Sequence, residues 1–217
     1  MIKQISYKEA VQYLLPRHYS GRVPTICFAY GEYTTGGRLV AVCTFGMPAS
    51  PFLCKGIAGD KWRKNVLELN RLCREPDYPF ILSHFVSECL KRINGNYIIV
   101  SYSDTAMNHH GYIYQACNFY YTGSTKRRTD KYVPDGKHAR HYDNSQQGEY
   151  RLVRSSKHRY VYLIGNKRFK KAVLKDLKYP IYDHYPKGDN SNYVLGDFLK
   201  PQLIKAGVAN GQNEGHD

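Results

Sequence analysis

The stretch NYIIVSYSDTAMNHHGYIYQACNFYYTG, Asn96 to Gly123, holds the pattern on which the fold turns. Its first part, Asn96–Asp104, is dense in β-branched and aromatic residues and reads as a central strand. Asp104 closes that strand where the chain turns. Such an Asp suits a turn or a helix cap. It equally suits a carboxylate at the C-terminal end of a strand, where α/β sheets place their chemistry. From His110 to Asn118 the spacing predicts a short helix. On it His110, Tyr114 and Asn118 share one face at i, i+4 and i+8, while Ile113, Ala116 and Cys117 form an apolar stripe. One face is therefore expected in the core and the other toward a site.

Upstream, Ile81, Leu82, Phe85, Val86, Cys89, Leu90 and Ile93 recur at helical period, and Gly95 follows as the stop. Before that helix "EPDYP" breaks the chain. The preceding NVLELNRLCR, Asn65–Arg74, reads as a strand with Val66, Glu68, Asn70 and Leu72 on one side. Leu67, Leu69, Arg71 and Cys73 fall on the other. Gly46–Gly59 is rich in Gly and Pro and reads as a loop. Thr25–Tyr30 and Arg38–Phe45 are strand-like, joined by a hairpin turn containing Gly31, Gly36 and Gly37. A first helix is expected over Tyr7–Leu15, stopped by Pro16. Downstream, His158–Gly165 is a late strand and NKRFKKAVLKDL, Asn166–Leu177, a basic helix. The tail from Ala206 is polar and expected to be mobile. No internal repeat is visible. Alternating strands and helices predict a mixed α/β domain around one sheet over residues 1–186, with 187–217 as a partly flexible C-terminal tail.

The chain has 217 residues, 42% of them apolar, which is enough for a sizeable core. No apolar run approaches the ~20 residues of a membrane span. The N-terminus lacks the basic-then-apolar layout of a signal peptide. The six cysteines, Cys27, Cys43, Cys54, Cys73, Cys89 and Cys117, form no CxxC pair and lie among apolar neighbours, so buried free thiols are expected. Net charge is +14, and Ser124–Lys178 alone holds sixteen Lys/Arg against five Asp/Glu. A localised basic surface with interleaved tyrosines is what a polyanion binder needs.

Strand, helix, strand, short helix, strand from Asn65 to Thr125 resembles the core of GNAT acyltransferases. In that fold the short helix often reads "LY...GF", with a tyrosine that protonates the departing thiolate of coenzyme A. Here "IYQACNF" puts Tyr114 at the tyrosine and Asn118 at the glycine. The longer pattern of "RHYS", "ELNRLC", "SYSDTAMNHHGYIYQACNFYYTG" and "SKHRYVYLIG" resembles the phage Mom family of DNA adenine modification enzymes. The resemblance implies a GNAT-like mixed central sheet flanked by helices. It also implies conversion of adenine N6 in double-stranded DNA to N6-carbamoylmethyladenine, which protects phage DNA from restriction in the host cytoplasm. The partner implied is duplex DNA, with no membrane and a homodimer as the assembly. Acetyl-CoA or a related acyl donor is the cofactor of the wider fold. The usual glycine-containing phosphate cradle is absent, however: "REPDYPFILSHF" holds no glycine, and Pro79 removes a donor.

An enzyme acting on adenine N6 in a duplex must flip the base and grip it between aromatic groups. On the resemblance, Tyr114, Asp104, His18 and Tyr19 are the expected catalytic residues, with Asn118 and His110 contacting substrate. A carbamoylmethyl group joins N6 through a CH2 carbon, a bond that simple acyl transfer does not make. A redox-active metal would supply such a step, and His18, Tyr19 and Asp104 form an N,O ligand set acceptable to Fe(II). Lys126, Arg127, Arg128, Lys157, Arg159, Lys170 and Lys171 are the expected phosphate contacts, within a DNA-binding segment over 124–178. His138, His141 and His158 lie among these basic residues and would join them when protonated. Two other functions compete: a GNAT N-acetyltransferase acting on a protein or tRNA amine, and a DNA-binding module without catalysis.

Overall fold

The computed structural model describes residues 1–132, 150–189, 195–196, 200 and 202–205. His138 and His141 lie outside these. Seven strands form the main sheet in the order β1 (Ile2–Gln4), β2 (Phe28–Tyr33), β3 (Leu39–Gly46), β4 (Val66–Arg74), β5 (Tyr97–Asp104), β9 (Lys157–Ile164), β6 (Tyr120–Ser124). Only β4 and β5 run parallel; the other neighbours are antiparallel. β5 is therefore central, as its composition predicts. A second sheet is built from β7 (Arg128–Lys131), β8 (Tyr150–Arg154) and β10 (Leu203–Lys205), in the order β10-β8-β7.

The helices cover both faces of the main sheet. α3 (Leu82–Arg92) and α4 (Tyr112–Ala116) lie on one. α3 lays its predicted stripe of Phe85, Val86, Cys89 and Leu90 against Phe45, Leu67, Leu69, Ile99 and Tyr160. Facing the other way, Val66, Ile98, Val100 and Val161 pack under α2 (Pro51–Ala58) and α5 (Lys167–Asp176), and Val42 and Cys73 pack under α1 (Tyr7–Leu14). Each of these aliphatic side chains stabilises the fold by about 1.5–3 kcal/mol on burial. Five of the six free cysteines are buried as expected, while Cys27 is exposed. No described helix is long and apolar enough to cross a membrane.

Local chemistry explains the helix starts. Ser6 accepts from the Glu9 amide at the head of α1, and Asn166 from the Phe169 amide (2.8 Å) at the head of α5. α2 occupies the stretch expected to be a loop. Pro51 at its first turn begins the helix rather than breaking it, because no helical partner is needed there. The β2–β3 turn is shorter than expected: Gly31 lies inside β2 and the reversal falls at Thr34–Arg38.

Two irregularities shape the middle of the sheet. β4 and β5 pair only over Val66–Glu68 and Ile98–Val100. Beyond that β4 follows β3 and β5 follows β9, so the strands part like a fork. In addition, Thr44 faces Arg71 while Phe45 faces Leu69, which leaves Asn70 as an extra residue in β4. This bulge inverts the expected alternation. Leu69 stays on the α3 face, while Arg71 and Cys73 turn to the α1 face.

Candidate functional site

The fork collects the polar groups of the sheet interior. Ser101 donates to the Leu69 carbonyl (3.0 Å), bridging the two strands just where their backbone ladder ends. Tyr114 reaches the fork from α4, with Ser101 as its hydrogen-bonding neighbour. Its ring packs on Phe119 and Tyr160, with centroids 5.4 and 5.3 Å away. Burial holds its hydroxyl well above the usual tyrosine range, so it stays protonated and able to donate.

Opposite α4, the loop after α1 brings His18 and Tyr19. Their rings stack at 4.4 Å, and Tyr19 meets His109 edge-on at 6.3 Å. Burial, helped by Arg71 and His109, lowers His18 to a pKa of about 3, so the ring is neutral. Its Nδ1 lies 3.2 Å from the Ser20 amide, which donates to it, and 3.0 Å from the Ser20 hydroxyl. Tyr19 is pushed up to about 12 by burial and by Asp104.

Asp104 ends β5 and is buried. Burial works to raise its pKa but is outweighed by hydrogen bonds from Lys157 and Ser155, which hold the carboxylate ionised. The Ala106 amide also donates to it (3.0 Å). Both oxygens are thus engaged, one of them by the Lys157 ammonium.

Two residues of the fork were not singled out from sequence. Glu68 is the last β4 residue paired with β5, and among the described residues none donates a hydrogen bond to its carboxylate. Burial raises its pKa, against the pull of Arg71 and Lys157. Arg71 donates to the carbonyls of Asn70 (2.6 Å) and Arg22 (3.2 Å), tying β4 to the loop that carries His18 and Tyr19. The available signal was a carboxylate and a guanidinium among the leucines of that strand.

The structure brings Tyr114, Asp104, His18 and Tyr19 to one place. It does not do the same for the other expected residues. His110 precedes α4 instead of lying on it, because Gly111 adopts φ +80 and starts the helix. The His110 carbonyl accepts from Tyr160, and its ring faces His158 at 5.8 Å. Asn118 is exposed just past α4 with φ +60, the left-handed conformation that a glycine at this position provides. Ala116 is exposed rather than part of an apolar stripe.

As a cation site, the His18–Tyr19–Asp104 set does not fit. The lone pair of the neutral imidazole takes the Ser20 N–H, and Lys157 occupies the cation's place beside Asp104. No group of three or more His, Cys, Asp or Glu side chains suited to a metal occurs among the described residues.

The expected phosphate contacts separate in a similar way. Lys126, Arg127 and Arg128 are exposed near the Asp104 end of the sheet. Lys157 is committed to Asp104. Arg159 is buried, donates to the Thr122 carbonyl (2.7 Å) and hydroxyl (3.0 Å), and stacks on Tyr179, so it is structural. Lys170 and Lys171 belong to α5, whose ends are held at the far end of the sheet. Gly165 packs on Asn96 there, and Asp176 accepts from Trp62 (2.8 Å).

At the start of α3 the cap residue Ile81 offers no side-chain bond, and among the described residues none between Gly59 and Gly95 has positive φ. The loop therefore lacks the alternating backbone of a phosphate-binding nest, as its missing glycines imply.

The sequence model of the Mom protein family matches residues 1–187. No curated protein matches. Among solved structures, a GNAT-family acetyltransferase from Streptococcus pneumoniae is 13% identical with a TM-score of 0.45, over 76% of this chain and 99% of that one. A Bacillus subtilis acetyltransferase in complex with CoA is 13% identical with a TM-score of 0.39, over 76% and 98%. The ribosomal-protein-S18-alanine N-acetyltransferase of Escherichia coli is 12% identical with a TM-score of 0.40, over 77% and 96%. These likenesses are of fold alone.

Proposed function

The chain belongs to the Mom protein family, and from that membership and the fork between β4 and β5 we propose a transferase that modifies adenine N6 in double-stranded DNA, giving the carbamoylmethyl derivative. The observation that carries the reading is the convergence at the fork. A protonated hydroxyl, Tyr114, and a carboxylate raised in pKa, Glu68, meet the stacked His18–Tyr19 pair beside a basic surface.

The adenine amine is a weak nucleophile, since its lone pair is delocalised into the ring. It is reachable only when the base leaves the stack. Tyr19, His18 and His109 offer ring surfaces for the flipped base. Glu68 takes the proton lost by N6 as nitrogen bonds to the CH2 carbon of a carbamoylmethyl donor. The bond from that carbon to its leaving group breaks, and Tyr114 gives the leaving group a proton. Raising a carboxylate toward neutrality improves it as a base. Asp104, fixed by Lys157, holds negative charge beside Tyr19 and keeps that phenol protonated.

The test is mass analysis of nucleosides from the DNA of cells expressing the protein. A new adenosine derivative carrying a carbamoylmethyl group is expected. An unaltered DNA profile with acetylated protein or tRNA would favour the acetyltransferase reading instead.

A further inference from the structure

The second sheet has no core of its own and sets its charges against one another. None of the residues of β7, β8 and β10 is buried. Arg128 faces Arg154 across the β7–β8 pair, and Lys131 faces Arg151. Like charges directly opposite each other in an antiparallel pair are destabilising, and small sheets without a packed face are marginal. On one face Asp130 compensates in part, pairing with Arg128 (3.4 Å) and Arg154 (2.8 Å). On the other, Arg151 is exposed and forms no ion pair among the described residues; its guanidinium donates only to the hydroxyl (2.8 Å) and carbonyl (3.1 Å) of Thr129. An arrangement of this kind gains stability when an anion lies along it.

The sheet's position gives that anion a purpose. Arg154 is followed by Ser155 and Ser156 and then by Lys157. Ser155 donates to Asp104, and the Ser156 carbonyl accepts from Thr105 (2.8 Å). Three residues span at most about 10 Å, so the basic ribbon adjoins the site. α5, in contrast, begins where β9 ends, roughly 23 Å farther along that strand at about 3.3 Å per residue.

We infer that the β7–β8–β10 sheet, and not the basic helix α5, is the surface that holds duplex DNA. The major groove is about 12 Å wide and admits a β-ribbon. The choice of duplex over another polyanion rests on the adenine-modifying reading above. Arg151 is the central contact, on the face away from Asp130, with Lys126 and Arg127 continuing the basic surface toward the main sheet.

The test measures affinity of the full-length protein for a duplex against salt. The variant Arg151→Ala should flatten the log–log slope by about 0.9, the value of one phosphate contact, and weaken binding roughly 8-fold near ~0.1 M salt. Lys170→Ala, Lys171→Ala should leave both within about twofold. Hydrogen exchange on the wild-type chain gives an answer independent of whether variants fold. Duplex should slow exchange at 128–131 and 150–154, and protection confined to α5 would overturn the inference. Stronger protection by single-stranded RNA of the same sequence would overturn the duplex assignment. The nucleoside masses are read separately. Absence of modified adenosine sinks the proposed function and leaves the salt slopes standing, whereas an unchanged slope in the arginine variant sinks this inference alone.

Discussion

In their first halves β4 and β5 are hydrogen-bonded neighbours with Val66, Ile98 and Val100 buried between helices on one face and Leu67 and Ile99 on the other. In their second halves the same strands part and present Asn70, Arg71, Ser101, Ser103 and Asp104. The closed half is apolar and redundant in its contacts. The open half is polar, and among the described residues Arg71 Nε and Ser103 Oγ are buried without a hydrogen-bond partner. Each such group opposes folding by roughly 1–3 kcal/mol, a cost that the closed half offsets. The difference teaches that one continuous pair of strands serves stability at one end and chemistry at the other, with Glu68 and Ser101 at the boundary.

The sharpest way to break this comparison is to remove a single oxygen from the open half. Tyr114→Phe should cut modification ~10²–10⁴-fold, the usual loss for a proton-transfer group, with thermal stability nearly unchanged. Near-full activity would make Tyr114 a packing residue. The mirror experiment is Ile98→Ala in the closed half. Removal of this fully buried side chain should destabilise by about 2–5 kcal/mol in denaturant unfolding. The activity of the fraction that remains folded should be largely retained. A strong activity loss per folded molecule would show that the halves are not separable.

A change of pH sharpens the contrast further. His18 titrates near 3 when folded and near 6.5 when unfolded, so between these values the unfolded chain binds more protons. Stability associated with His18 is complete above pH 6.5 and falls as pH drops toward 3. At pH 5 the loss is about 2 kcal/mol, and His18→Gln should remove that part of the pH dependence. Equal melting curves for wild type at pH 7 and 5 would contradict the buried neutral ring. The smallest expected effect is at Asn118. Asn118→Ala should cost roughly 1–2 kcal/mol, because a Cβ without a polar side chain is poorly tolerated at φ +60. Asn118→Gly should be close to neutral, and melting temperatures of the two variants separate the cases.

The closed half was largely legible in the sequence. Helical spacing gave α3, β-branched density gave β5, and both were found nearly to the residue. The open half was legible only as residue types. Tyr114 and Asp104 stand out by position, but the bulge at Asn70 leaves no trace in alternation. The expected pairing of Leu69 and Arg71 on one face was consequently wrong. The end of the β4–β5 ladder is a matter of backbone divergence, which no local pattern encodes, so Glu68 and Arg71 were placed in the strand but not singled out as site residues. α2 was hidden because Pro and Gly read as breakers until their place within a helix is known. For His110 the signal was present, since a glycine directly before Tyr112 is where a helix begins.

The most direct measurement of the central claim is the yield of modified adenosine in DNA from cells making equal amounts of folded wild-type, Tyr114→Phe and Glu68→Gln protein. The account predicts carbamoylmethyl-adenosine with the wild type and a drop of at least ~10²-fold with each variant. Wild-type DNA without the derivative, or undiminished yield when both fork residues have lost their acid–base groups, would contradict it.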